Sequence, residues 1–162
     1  MKTLLLILLI PLIGQAQFLD RQFMSISTGV DVRNAIIGGT VNERAYNGTF
    51  NLGYRSGGFN LQASYETFKE IDFSAVEISA GHVFNQGKAL QFPLMAGVAL
   101  INRPVNWMPQ QHHPALTLTA SAEYHVNNTF FVFLSFENWY RGDLKRNVQS
   151  GRAGIGVKLF NQ

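Results

Sequence analysis

The chain has 162 residues, enough for one domain, with a net charge of +3 and no cysteine. Charged residues make up 14% of the chain, well below the roughly 25% of soluble domains, whereas the hydrophobic share of 46% is ordinary. The missing cysteine excludes a disulfide framework and thiolate metal sites, and the small positive charge does not predict a nucleic-acid partner.

The first 16 residues have the features of an export signal. Lys2 supplies a positive charge, residues 4–13 form an apolar run, and the small residues Gly14 and Ala16 precede a cleavage point. The apolar run has about ten residues, whereas a helix needs roughly 17–25 to cross a bilayer. We therefore predict a signal peptide at residues 1–16 and one mature domain at residues 17–162.

From Met24 onwards, apolar and polar residues alternate with a period of two, which predicts strands with two different faces. About eight segments of roughly ten residues alternate in this way, the length that a tilted strand needs to cross a bilayer. Turn signals such as Ser56-Gly57-Gly58 separate them. The apolar series begin, in chain order, at Met24, Tyr46, Phe59, Val76, Leu94, Leu116, Val132 and Ala153. Pro93 interrupts the fifth series and predicts a bulge or the true start of that strand.

The composition of the polar face indicates which side of the sheet faces outward. It is mostly Ser, Thr, Asn, Gln and Gly, which suits a crowded interior, whereas a soluble barrel needs charge over its whole surface. Aromatic residues at the strand ends predict two girdles at the membrane interfaces. One girdle comprises Tyr54, Phe59, Phe84 and Tyr124, and the other Tyr46, Tyr65 and Tyr140. We predict an all-β fold, an eight-stranded antiparallel up-and-down transmembrane β-barrel; the alternative is a soluble lipocalin-like ligand carrier.

The lengths of the connections favour the membrane barrel, because such barrels have short periplasmic turns and longer external loops. The first, fifth and seventh connections are predicted to be long, at residues 33–44, 102–114 and 141–149. The even-numbered connections have about three or four residues. This arrangement places both termini on the periplasmic side.

Several charged side chains belong to the predicted inner face, where they must be paired. This lumen charge network comprises Arg55, Glu66, Glu77, Glu123, Glu137, Arg152 and Lys158. If the last hairpin is centred near Leu144 and Lys145, Glu137 lies directly opposite Arg152. We predict an ion pair between them.

The last predicted strand runs from Gly154 to Phe160, and the whole mature chain resembles the small outer-membrane β-barrel family typified by OmpA and OmpX. The resemblance implies a location in the cell outer membrane, contact with its lipids, and recognition of the last strand by the barrel-insertion machinery. In that family an aromatic residue commonly ends the chain, whereas here Asn161 and Gln162 follow Phe160.

A lipid-modifying barrel enzyme is the main alternative from another class of function. Outer-membrane lipid A deacylases carry a His-x-Ser element, and His125-Val126-Asn127 lacks the serine nucleophile. The adjacent His112 and His113 do not predict a metal site, because their side chains diverge and no Asp, Glu or Cys lies near them in the loop. We therefore expect no enzyme activity, no metal and no cofactor.

Two external features are candidate contact surfaces. Arg141, Lys145 and Arg146 are placed to pair with lipopolysaccharide phosphates through charge-assisted hydrogen bonds. Val105, Trp107 and Met108 form an apolar loop tip for an extracellular partner whose identity the pattern does not indicate. The sequence predicts a structural or surface-interaction barrel.

Overall fold

The computed structural model describes residues 22–32, 47–68, 72–105, 108–142 and 144–161, with all of their side chains except those of residues 104–111, 160 and 161. The predicted signal peptide lies outside these residues, as do Tyr46 and the predicted connection at residues 33–44. Trp107 also lies outside them, and the side chains of Val105 and Met108 are not described.

Eight strands form a closed antiparallel barrel in which each strand pairs with the next and β1 pairs with β8. The strands are β1 Gln22–Asp31, β2 Gly48–Ser56, β3 Phe59–Phe68, β4 Phe73–Phe84, β5 Leu90–Val105, β6 Met108–His125, β7 Phe130–Arg141 and β8 Arg146–Asn161. This architecture confirms the predicted fold. Within the described residues, no helix is long and apolar enough to cross a membrane.

The tight connections at one end of the barrel follow the predicted turn chemistry. Gly57 and Gly58 have φ values of +54° and +84°, as the turn between two twisted strands requires. In the turn between β6 and β7, the side-chain oxygen of Asn127 accepts hydrogen bonds from the backbone N–H groups of Thr129 and Phe130, both at 2.7 Å. We call this end of the barrel, with the connections at residues 57–58, 85–89 and 126–129, the turn end.

We call the opposite end of the barrel the mouth. The residues that begin or end strands there are Asp31, Phe68, Phe73 and Arg141. In the described barrel the apolar face of the sheet points outward, and the inner face is largely polar, with a buried apolar cluster near the mouth and aromatic rings near the turn end. Leu116 and Leu134 are 62% and 63% exposed, whereas their inward neighbour on β6, Thr117, is buried. The predicted orientation of the two faces is confirmed, and it is the reverse of what a soluble carrier needs.

Two predicted connections are strands in the structure. β5 and β6 continue to Val105 and Met108, through the segment predicted as a loop at residues 102–114. The prolines in this segment obscured the alternation, although the ladder continues past them. The last hairpin is also longer than predicted, because Arg141 pairs with Arg146 and only residues 142–145 connect the two strands.

Pro93 is neither a bulge nor the start of β5. The strand begins three residues earlier at Leu90, and Pro93 pairs with Val83 of β4. Towards β6, pairing skips Phe92 and Pro93 and resumes at Leu94 without a change of register. Proline lacks the N–H donor, so the ladder loses bonds there while the strand itself continues.

Candidate functional site in the barrel interior

Side chains of the inner face fill most of the barrel, and their ionisable groups form two clusters. All seven residues of the predicted lumen charge network are buried. The contacts of Arg55, Glu123, Gln91 and His125 define the lower cluster, near the turn end. The contacts of Arg152, Glu66, Glu137, Glu77 and their neighbours define the upper cluster, nearer the mouth.

The lower cluster is built around a guanidinium that is held on two sides. Arg55 Nη1 and Nη2 lie 2.9 and 3.0 Å from the two carboxylate oxygens of Glu123, a bidentate pair. Arg55 Nη1 also donates to Gln91 Oε1 at 2.8 Å, and His125 Nε2 lies 3.3 Å from Glu123 Oε2. The predicted network had no place for Gln91, although it occupies the inner face of β5.

Aromatic rings close the barrel around the lower cluster. The ring of Phe23 lies beneath two cations, with Arg55 Cζ at 5.1 Å and Lys158 Nζ at 4.8 Å from its centroid. His125 stacks on Phe131 with 5.3 Å between ring centroids. The turn end is therefore sealed by stacked rings and paired charges. The prediction missed Phe23 because the sequence alternation was read from Met24 onwards.

Small residues on β8 make room for these rings. A Cβ atom added at Gly156 would lie 2.1 Å from Phe131 Cζ, and one added at Gly154 would lie 2.5 Å from Phe133 Cζ. Every side chain at either position would therefore collide with a ring. The alternating glycines of β8, which resemble plain strand sequence, are a packing requirement of the interior.

The upper cluster joins one guanidinium to two carboxylates. Arg152 Nη2 lies 2.5 Å from Glu66 Oε2 and 2.8 Å from Glu137 Oε2. The amide of Asn47 donates to Glu66 Oε1, and the indole N–H of Trp139 donates to Glu137 Oε2 at 3.1 Å. Trp139 is two residues beyond Glu137, so extending the alternation by one step places it on the inner face.

Glu77 adds a third carboxylate to this region of the interior. It accepts a hydrogen bond of 2.6 Å from the hydroxyl of Thr117. Among the described residues, no group of three or more His, Cys, Asp or Glu side chains is arranged to hold a metal ion.

The predicted pairing of Glu137 with Arg152 is present, but the predicted register is wrong. Glu137 lies opposite Ser150, and Arg152 lies opposite Ser135. The turn is centred one residue earlier than predicted, which shifts every partner by two positions and leaves each side chain on its predicted face. The pair forms between diagonal neighbours of the ladder, and long side chains span the separation between such positions.

Between the two clusters the interior holds a cavity of about 30 Å³. Its lining includes Ser25, Asn51, Gln62, Thr119 and Ser135. One water molecule occupies about this volume in the liquid. The middle of the barrel is therefore nearly filled by side chains.

The three residues proposed as a lipopolysaccharide contact are not on one surface. Lys145 and Arg146 are exposed at the last connection, whereas Arg141 is buried. The guanidinium of Arg141 lies 5.1 Å from the ring centroid of Phe73, inside the mouth. The alternation explains this difference, because Arg141 continues the inner series of Glu137 and Trp139.

No protein-family model matches the chain, and no curated protein matches it in sequence. The structure is similar to the N-terminal β-barrel domain of OprF from Pseudomonas aeruginosa, with a TM-score of 0.67 and 16% identity over 86% of this chain and 98% of that one.

Two further barrels have the same architecture. Ail from Yersinia pestis, in phospholipid bilayer nanodiscs, has a TM-score of 0.58 and 15% identity, covering 85% of this chain and 99% of that one. Neisserial surface protein A has a TM-score of 0.58 and 16% identity, covering 85% and 97%. At these identities the likeness shows the fold, which is that of small eight-stranded outer-membrane barrels.

Proposed function

We propose that this chain is an integral protein of the cell outer membrane, with a side-chain-filled lumen and a structural or surface-interaction role. The observation that carries this proposal is the apolar outer wall, to which every strand contributes. One exposed residue from each strand, in chain order, is Met24, Leu52, Leu61, Ile78, Val98, Leu118, Leu134 and Ile155. Soluble proteins rarely expose a continuous apolar surface of more than a few hundred Å².

The height of this wall fits a bilayer. Exposed aromatic side chains lie at two levels, including Phe50, Tyr65 and Tyr140 near the mouth and Tyr54, Phe59, Phe84 and Phe130 near the turn end. Phe130 and Tyr140 are ten residues apart on β7, about 33 Å along the strand at roughly 3.3 Å per residue. With the usual tilt of roughly 40°, the two levels are about 25 Å apart, the height of the apolar band in membrane barrels.

We propose that the mouth faces the outside of the cell. β1 begins and β8 ends at the turn end, and both termini of a barrel with an even number of strands lie on the periplasmic side. We propose lipopolysaccharide as a partner at the mouth, with the exposed Lys145 and Arg146 as its contacts and Arg141 supporting the mouth from inside. The apolar tip of Val105, Trp107 and Met108 is proposed to contact an extracellular partner, and β8 to be read by the insertion machinery.

The position of His125 argues against the enzyme alternative. Its side chain is fully buried, stacked on Phe131 and paired with Glu123 at the turn end. A base in this position is enclosed by the barrel and lies far from a substrate in the outer leaflet. The arrangement supports a structural role for His125.

Membrane fractionation combined with gel migration tests the proposal. A closed barrel has no free strand edge and resists detergent until it is boiled, so we expect heat-modifiable migration of protein from the outer-membrane fraction. Protein that a carbonate or high-salt wash releases from membranes would contradict the proposal.

A further inference from the structure

A second cavity, much larger than the one in the middle of the barrel, lies at the mouth. Its volume is about 180 Å³, and we call it the mouth cavity. It is lined by Asp31, Asn47, Glu66, Phe68, Phe73, Trp139, Arg141, Val148, Ser150 and Arg152. The volume equals that of roughly six water molecules, and it is below the roughly 300–1,000 Å³ of sites for drug-sized ligands. It therefore suits a ligand of one ring with small substituents.

One wall of the mouth cavity is apolar and firmly held. Phe73 and Trp139 belong to a buried cluster with Ala75, Ala99, Ile101 and Ala115, and Phe68 packs against that cluster. The guanidinium of Arg141 lies 5.1 Å from the ring centroid of Phe73. Side chains held in this way present a preformed apolar surface to one side of a ligand.

The opposite wall is polar and carries both donors and acceptors. Arg152 and Glu66 are joined at 2.5 Å, Asn47 donates to Glu66, and Asp31 lies opposite Arg152 in the ladder between β1 and β8. Ser150 adds a half-buried hydroxyl. A hydroxyl both donates and accepts, so it matches carboxylates, an amide and guanidinium groups alike.

The charged groups of the described lining already have partners. Arg152 contacts Glu66 and also Glu137, which is not part of the lining, and the guanidinium of Arg141 lies over the ring of Phe73. A charged ligand would have to displace these contacts, whereas a neutral polyhydroxylated ligand can add hydrogen bonds to the same groups.

We infer that the mouth cavity is a binding site for one neutral sugar ring. A sugar ring has C–H groups for the apolar part of the lining and hydroxyls on its edge for the polar wall. The ring is supplied either by a free sugar or by the end of a surface glycan. The turn end is sealed, so in the proposed topology the ligand enters and leaves from outside the cell.

Tryptophan fluorescence tests this inference directly. The chain has two tryptophans, and Trp107→Phe leaves Trp139, in the cavity wall, as the single reporter. The folded protein is kept in lauryldimethylamine oxide, because this detergent has no sugar headgroup. Titration with glucose, galactose, mannose and their methyl glycosides is expected to give a saturable change for at least one ring, with a dissociation constant of about 1–10 mM.

A variant that fills the mouth cavity is compared with a control variant that adds the same volume on the outer wall. Val148→Phe, made in the Trp107→Phe background, should weaken sugar binding at least tenfold because it occupies the cavity. Val132→Phe adds the same volume on the outer wall and should leave binding unchanged. Heat-modifiable migration establishes that each variant is folded, and Ser150→Val, which removes one polar contact, replaces Val148→Phe if that variant does not fold.

Three results would overturn the inference. These are no saturable response to any sugar, an equal response in the folded blocking variant, and equal binding of cyclohexanol, which has the ring without the additional hydroxyls. Binding of methyl glycosides identifies the end of a glycan as a suitable ligand, whereas binding of free hexoses alone identifies a free sugar.

Discussion

Arg152 lies between two buried carboxylates, and its removal leaves both without their cation. We expect Arg152→Met to destabilise the barrel by about 3–5 kcal/mol, the usual cost of leaving a buried charge uncompensated. Glu137→Gln should cost less, about 1–3 kcal/mol, because Arg152 keeps Glu66 as a partner. Urea unfolding in phospholipid vesicles measures both costs.

The double variant distinguishes a coupled pair from two residues that contribute to stability independently. Once Arg152 is absent, replacing Glu137 removes an unpaired charge, so Arg152→Met with Glu137→Gln should cost less than the sum of the single variants. Strictly additive costs would show that the contact at 2.8 Å does not couple the two residues.

Gly154 provides a second test at the scale of one residue. An added Cβ would lie 2.2 Å from the backbone oxygen of Thr28, which cannot move without displacing β1. Gly154→Ala should destabilise the barrel by about 1–3 kcal/mol in the same urea assay. Gly151→Ala is the control, since its Cβ would have one neighbour within 4 Å, at 3.9 Å. Equal effects at the two positions would contradict this account of the interior packing.

At the scale of elements, the connection between β7 and β8 carries exposed charges, in contrast to the buried charges of the interior. The double variant Lys145→Gln with Arg146→Gln should reduce the lipopolysaccharide retained by the purified barrel, with a stability change below about 0.5 kcal/mol. Lys88→Gln, an exposed lysine at the turn end, is the matched control and should retain the lipid fully. Normal retention in the double variant would remove lipopolysaccharide as the partner of this connection.

Strand lengths were harder to predict than strand identity. The alternation identified all eight strands because each has a largely polar interior on one side and an apolar exterior on the other. It did not identify the ends of β5 and β6, where Pro104, Pro109 and Pro114 resemble loop sequence. Beyond Asn102 of β5 and Pro114 of β6, the described ladder pairs are between these two strands alone, so the two-faced pattern of the barrel wall is not required of those residues.

The molecule as a whole is closed at the turn end and nearly filled in the middle. We therefore expect no stable, large conductance steps in planar bilayers, since eight strands leave an interior that side chains fill. A general diffusion porin reconstituted in the same membranes is the positive control. Stable large steps from the purified protein would show that the interior rearranges into a water-filled channel.

The sequence by itself determined the fold class, the inward and outward faces, the tight turns and seven of the charged residues inside the barrel. These follow from local rules, because a period of two assigns each side chain to a face whatever its partner across the sheet. The tertiary structure decided the register of the last hairpin, the division of the charges into two clusters, the burial of Arg141 and the existence of the mouth cavity. Each of these depends on which residues meet across the closed barrel. The positions of the turn centres and the strand ends decide which residues meet, and the alternation does not encode those positions.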